Sequence, residues 1–127
     1  MATVDLTADT FEEAVSGDGI VLVDFWAEWC GPCKRFGPVF EEASRQHPEV
    51  VFGKVDTETE RGLAAGFQIR SIPTLMAFRD GVPVFQQPGA LPGPALEQLI
   101  EAVGALDMAD VHGQVAEAER AQAGAAS

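Results

Sequence analysis

Strand and helix patterns alternate along this chain, an order that predicts an α/β domain with a mixed sheet and helices packed on it. Three observations carry the prediction. Residues 20–27, IVLVDFWA, are apolar at every position but one and rich in β-branched and aromatic types, which marks a strand buried on both faces. The period then changes: Phe36, Val39, Phe40 and Ala43 recur at i, i+3, i+4 and i+7, so residues 33–47 are expected to form a helix with one face on the core. A strand–helix–strand connection over residues 20–56 is a right-handed crossover between parallel strands, whereas the short Asp80-Gly81 link farther on demands an antiparallel pair.

The elements follow in order. A short strand at residues 3–6 leads to a helix whose start is signalled by Thr10-Phe11-Glu12-Glu13, a Thr-x-x-Glu capping box, and whose end is set by Gly17-Asp18-Gly19. After the central strand and its helix, in which Pro38 predicts a kink, come a strand at 50–55 and a short helix at 60–65. Strands at 74–79 and 83–86 and a helix at 94–103 complete the pattern, the helix carrying Leu96, Leu99, Ile100 and Val103 on one side. Residues 1–106 read as one domain and 107–127 as an acidic, Ala-rich C-terminal tail, disordered or an appended helix. Met108, Val111 and Val115 mark one helical side there, but Gly113 and the closing Ala-Gly-Ala-Ala-Ser are weak formers of fixed structure.

At 127 residues and 46% hydrophobic, the chain buries a core without cross-links, so its two cysteines are not needed as staples. The amino terminus has neither a basic segment nor an apolar signal region, and no stretch reaches the length of a membrane span. A reducing, cytoplasmic location is therefore expected, with no membrane partner. The net charge of −12 argues against nucleic acid and anionic membrane, which require clustered Lys and Arg, and leaves proteins as partners. The basic residues are unevenly placed: Lys34 and Arg35 adjoin the cysteines and Arg70 is expected close by, either as a recognition feature or as solvated charge.

The cysteines stand three positions apart in Trp29-Cys30-Gly31-Pro32-Cys33, where strand gives way to helix. At a helix amino end, unsatisfied N–H groups and the helix dipole favour negative charge, so a thiol of ordinary pKa about 8.5 becomes more acidic. Cys33 shares the stripe of Phe36 and Phe40 and is expected toward the core; Cys30 precedes the first turn and is expected at the surface. Cys30 then attacks a disulfide and Cys33 resolves the mixed disulfide that results.

Other readings of these residues fit less well. Half of a zinc site would need His47, separated from Cys33 by thirteen residues, and a fourth ligand that His112 is too far away to supply, so no metal is expected. A structural disulfide would enclose only two residues and constrain the unfolded chain little. Residues 56–60 resemble the start of a calcium loop, but the required Gly comes one position late and Phe67 stands where a bidentate Glu belongs. Gly17 and Gly19 are not followed by a phosphate-cradling pattern.

Asp24 interrupts the central strand on the face shared by Leu22 and Trp26, so it is expected to be desolvated with a raised pKa. A carboxylate so poised is suited to take the proton of the resolving thiol and return it later. An ion pair with Lys54 on the neighbouring strand is the structural reading of the same residue, compatible with the first.

The segment VLVDFWAEWCGPCK, residues 21–34, resembles the active-site segment of the thioredoxin family, and the likeness extends from Leu6 to Val103 through Pro38, Lys54, IRSIPT at 69–74 and the Asp80-Gly81 turn. The resemblance implies a thioredoxin-like fold, a five-stranded mixed sheet in the order 1-3-2-4-5 flanked by helices. It implies Cys30 as nucleophile, Cys33 as resolving thiol, and Asp24 with Lys54 as the buried pair that tunes proton transfer. It further implies a cis Pro73, client backbone held at Ile72, and an apolar docking surface formed by Trp29, Gly31, Pro32 and Gly89. The tail departs from the family pattern, as does Gln86-Gln87-Pro88 ahead of Gly89 and Ala90.

The expected function is a protein-disulfide reductase that binds no cofactor, works as a monomer on oxidised client proteins, and is recycled by a thioredoxin reductase. Two alternatives stand beside it: a redox-inactive binding module such as a holdase or complex subunit, and a dedicated oxidant or isomerase. Gly31-Pro32 favours a reductant by family likeness.

Overall fold

The computed structural model describes residues 3–126. The elements run β1 (Thr3–Asp5), α1 (Phe11–Ser16), β2 (Ile20–Trp26), α2 (Gly31–Gln46), β3 (Val51–Asp56), α3 (Arg61–Gly66), β4 (Thr74–Arg79), β5 (Val82–Pro88), α4 (Gly93–Gly104) and α5 (Met108–Ala126). All five strands form one sheet in the order β1-β3-β2-β4-β5. The β1–β3 and β2–β3 pairs are parallel and the β2–β4 and β4–β5 pairs antiparallel, which is the mixed sheet the crossover and the hairpin predict.

β2 is apolar almost throughout because helices cover both of its faces. Leu22 joins Phe36, Phe40 and Ala43 of α2, Phe52 of β3 and Leu96, Ile100 and Val103 of α4 in one cluster. Val21, Val23 and Phe25 point the other way, to Phe11 and Val15 of α1, with Leu63, Phe67 and Ile69 packed against them. Phe36 and Phe40 are fully buried, and each contributes on the order of 2 to 3 kcal/mol of transfer free energy that clamps α2 to the sheet.

Local signals set most boundaries. α2 begins two residues before the periodic stripe because Cys30 caps it and Pro32 occupies its first turn, where a missing N–H costs nothing. Asp80 and Gly81 both have positive φ, 52° and 83°, as a tight β4–β5 hairpin requires. The Asp80 side chain also accepts a bond from Gly19 N–H at 2.7 Å, pinning that turn to the one before β2.

One expectation is corrected. Thr10 does not cap α1 as a Thr-x-x-Glu box would: it has helical dihedrals and no capping bond of its own. The turn starts at Thr7 instead, whose carbonyl accepts from Thr10 and Phe11 N–H, while Thr10 Oγ1 accepts from Thr7 N–H at 2.9 Å. One half of a box is present there, the side chain of Thr10 reaching back to the Thr7 N–H, while the Thr10 N–H goes to the Thr7 carbonyl and not to its hydroxyl. The tail takes the helical of its two expected forms as α5, whose start is capped by Asp107 Oδ1 accepting from Ala109 and Asp110 N–H. Among the described residues no helix is long and apolar enough to cross a membrane.

Candidate functional site

Three segments meet at the carboxyl end of β2, where open α/β sheets place their sites. The first is the β2–α2 turn. Cys30 sits at the amino cap of α2 with extended backbone, and Cys33 N–H donates to Cys30 Sγ at 3.2 Å. The two sulfurs are joined as a disulfide, with Cα atoms 5.2 Å apart. Cys30 is 4% exposed and Cys33 5%, so the expectation of a surface Cys30 is corrected: Ala27, Trp26 and Ile72 pack around the pair. What separates the sulfurs is chemical. Only Cys30 Sγ receives a helix-end amide, the kind of bond that stabilises a thiolate.

The second segment is the loop before β4. The Ile72–Pro73 peptide is cis, as the resemblance implies, and the Ile72 carbonyl oxygen lies 3.6 Å from Cys30 Sγ. The third is the end of β5, where Gly89 N–H donates to the Pro73 carbonyl at 2.8 Å. Gly89 has φ 106°, a conformation that L side chains rarely adopt. Ile72, Pro73 and Gly89 are thereby held beside the disulfide, and Gly31 and Pro32 lie exposed on the first turn of α2.

Trp29 is 69% exposed, yet its ring is not loose: Nε1 donates to Glu58 Oε1 at 2.8 Å. With Thr57, Ala64, Ile69, Arg70, Ser71 and Ile72 it lines a cleft of about 320 Å³. Glu58 escaped sequence reasoning because nothing local connects it to a residue 29 positions earlier. Arg70 falls where it was expected.

Asp24 is fully buried, and neither carboxylate oxygen has a hydrogen-bond partner. Burial pushes its pKa up to about 7, against the pull of the Lys54 charge. Lys54 faces Asp24 in the β2–β3 register, but its ammonium lies 4.9 Å from the centroid of the Trp26 ring. Among the described residues it makes no ion pair with Asp24, which corrects the close pair read from sequence. A cleft of about 170 Å³ brings Lys54 and Cys33 to one opening, with Trp26, Ala27, Glu28, Lys34 and Gly37 as its other walls. His47 ends α2, roughly 21 Å of helix axis beyond Cys33 at ~1.5 Å per residue, and cannot share a ligand sphere with the cysteines.

The chemistry open to this arrangement is exchange of its own disulfide for that of another molecule, and the chain is accordingly a thiol/disulfide oxidoreductase. It belongs to the thioredoxin family, whose model matches residues 2–102, and is a protein-disulfide reductase. It is 55% identical over 123 residues to the putative thioredoxin 2 of Streptomyces coelicolor, covering 97% of this chain and 91% of that protein, so the alignment runs through most of α5. It is 46% identical over 90 residues to the bifunctional thioredoxin reductase/thioredoxin of Mycobacterium leprae, covering 69% of this chain and 20% of that protein. Among solved structures, a point-mutant thioredoxin from Halobacterium salinarum superposes with a TM-score of 0.76 at 32% identity, covering 84% of this chain and 95% of that one.

Proposed function

We propose that Cys30 is the nucleophile and Cys33 the resolving thiol. The observation that carries this is the Cys33 amide donating to Cys30 Sγ at 3.2 Å, which favours charge on that sulfur. The Cys30 thiolate attacks one sulfur of a client disulfide; a Cys30–client bond forms as the client bond breaks, and the first client sulfur leaves as a thiolate that takes up a proton. Cys33 then gives its proton to Asp24 and attacks Cys30 Sγ. The second client sulfur leaves as a thiolate and is protonated, so the client gains two electrons and two protons while Cys30–Cys33 becomes a disulfide. A carboxyl titrating near pH 7 is matched to that proton transfer, and Lys54 moderates its charge.

Client backbone lies along Ile72 and Pro73, with Trp29, Gly31, Pro32 and Gly89 forming the surface it docks on. The electron donor is a thioredoxin reductase, supported by the joined name of the Mycobacterium leprae relative. The protein acts as a cytoplasmic monomer, and residues 107–127 form a tail outside the catalytic domain 1–106. Insulin reduction driven first by dithiothreitol and then by a thioredoxin reductase with nicotinamide cofactor tests both halves. Turnover in both is expected. Dithiothreitol-driven turnover alone would overturn the recycling route, and absence of both would overturn the reductase.

A further inference from the structure

The chain carries eight basic residues against twenty acidic ones, and the fold uses half of those cations internally. Arg45 bridges Glu41 and Glu42, Arg61 pairs with Glu58, and Arg79 holds Asp80 and the Val103 and Gly104 carbonyls at the end of α4. Lys54 rests on Trp26. Of the remainder, Arg120 belongs to α5, outside the site. The others, Lys34, Arg35 and Arg70, have no ion-pair partner among the described residues and are exposed beside the disulfide. Lys34 walls the cleft that reaches Cys33. The Arg35 guanidinium stands 4.0 Å from where a side chain on Gly31 would begin. Arg70 lines a different cleft with Trp29 and Ile72, whose carbonyl oxygen lies 3.6 Å from Cys30 Sγ. Glu28 shares the cleft with Lys34, and Glu58 is already bonded to Trp29 and Arg61.

We propose that the docking surface selects client disulfides flanked by Asp and Glu, with Arg70 meeting the client at the Trp29 cleft and Lys34 and Arg35 meeting it at the first turn of α2. The inference rests on the reductase reading and adds its substrate class. The whole molecule, at −12, repels an acidic client. At about 0.15 M salt, however, charges act over only ~8 Å, so a docked segment feels the three nearby cations and little of the rest.

The test uses three short disulfide-linked peptides with acidic, neutral or basic residues flanking the cystine. Reduced protein is mixed with each, the reaction is acid-quenched, and released peptide thiol is measured by chromatography. Flanking charge also alters the peptide's own leaving thiol, so each rate is divided by that peptide's rate with mercaptoethanol, an uncharged thiol. A normalised acidic-over-basic preference on the order of fivefold is expected at ~0.15 M salt, falling below about twofold at ~1 M. Arg35→Glu with Arg70→Glu should remove or reverse it, whereas Arg120→Glu on α5, the same kind of charge change outside the site, should leave it in place. Should the double charge reversal fail to fold by circular dichroism, Arg35→Gln with Arg70→Gln makes the same comparison. Equal normalised rates, a basic preference, or an equal response to Arg120→Glu would overturn the charge selectivity. Failure to reduce any of the three peptides would instead overturn the reductase reading beneath it.

Discussion

The two ends of α2 treat polar groups in opposite ways. At the carboxyl end the charged groups are matched: His47 Nε2 lies 2.6 Å from Glu97, its Nδ1 is 3.3 Å from Glu49, and Arg45 bridges Glu41 and Glu42. At the amino end, groups of the same chemical kinds are left wanting. Asp24 is buried with no hydrogen bond, the Trp26 indole N–H is buried without a partner, and Lys34 and Arg35 make no ion pair among the described residues. A satisfied group has little chemistry left to do. An unpaired buried carboxylate destabilises the fold, which the surrounding aromatic core offsets, and in return it can move a proton near neutral pH.

The contrast between the ends is sharpest at the cysteines. Cys30→Ser should abolish turnover without trapping clients, because the remaining sulfur lacks the helix-end amide that activates its neighbour. Cys33→Ser should accumulate covalent client complexes, since Cys30 attacks but nothing resolves the product. Non-reducing gels after exposure to a disulfide-containing extract make the measurement; equal trapping by both variants would sink the assignment of roles.

Asp24→Asn should slow exchange around pH 7 and stabilise the fold. The sign follows from a folded pKa raised to about 7 from an ordinary 3.8. Below the ordinary value both states are protonated; between the two values the unfolded chain ionises while the native chain does not, so native stability falls as pH rises. The stabilisation by Asn should therefore grow from about pH 4 to 7 and level off above, reaching on the order of 3 to 4 kcal/mol. Urea titrations at about pH 4.5 and 8 would show it, and an equal difference at both would mean that Asp24 does not titrate as described.

Deleting residues 107–127 is expected to cost about 1 kcal/mol or less and to leave insulin reduction intact. Among the described residues of α5, Val111, Val115 and Ala118, with Gln114, line its cleft against β5, and Val115 is 38% exposed. A loss of Tm beyond about 8 °C would make the tail part of the folding unit.

The smallest effect belongs to the satisfied end. The hydrogen bond to Glu97 raises the pKa of His47, with Glu49 adding to it. That contribution is complete below the unfolded value near 6.5 and fades as pH rises through the higher folded value. Glu97→Gln should thus lower stability at about pH 6 by less than ~1 kcal/mol, since Glu97 is 42% exposed, and by nothing at about pH 9. A difference that does not depend on pH would remove the charge from the explanation.

The central strand, its helix, the hairpin turn and the desolvation of Asp24 were legible in the sequence because each depends on residues a few positions apart: an apolar run, a 3.6-residue stripe, an Asp-Gly pair, one carboxylate out of pattern. Family likeness pointed to Ile72, Pro73 and Gly89, which no local pattern does. Tertiary structure alone decided which distant groups become partners. It placed Glu58 on Trp29, laid Lys54 over Trp26 instead of against Asp24, and buried Cys30 beneath Ile72. It also explains Gly53, where a Cβ would meet Leu6 Cδ1 at 2.4 Å. The physical reason is range. Periodicity and capping are settled within a turn or a strand, whereas pairing between side chains far apart along the chain is chosen only when packing brings their elements together and removes the water between them.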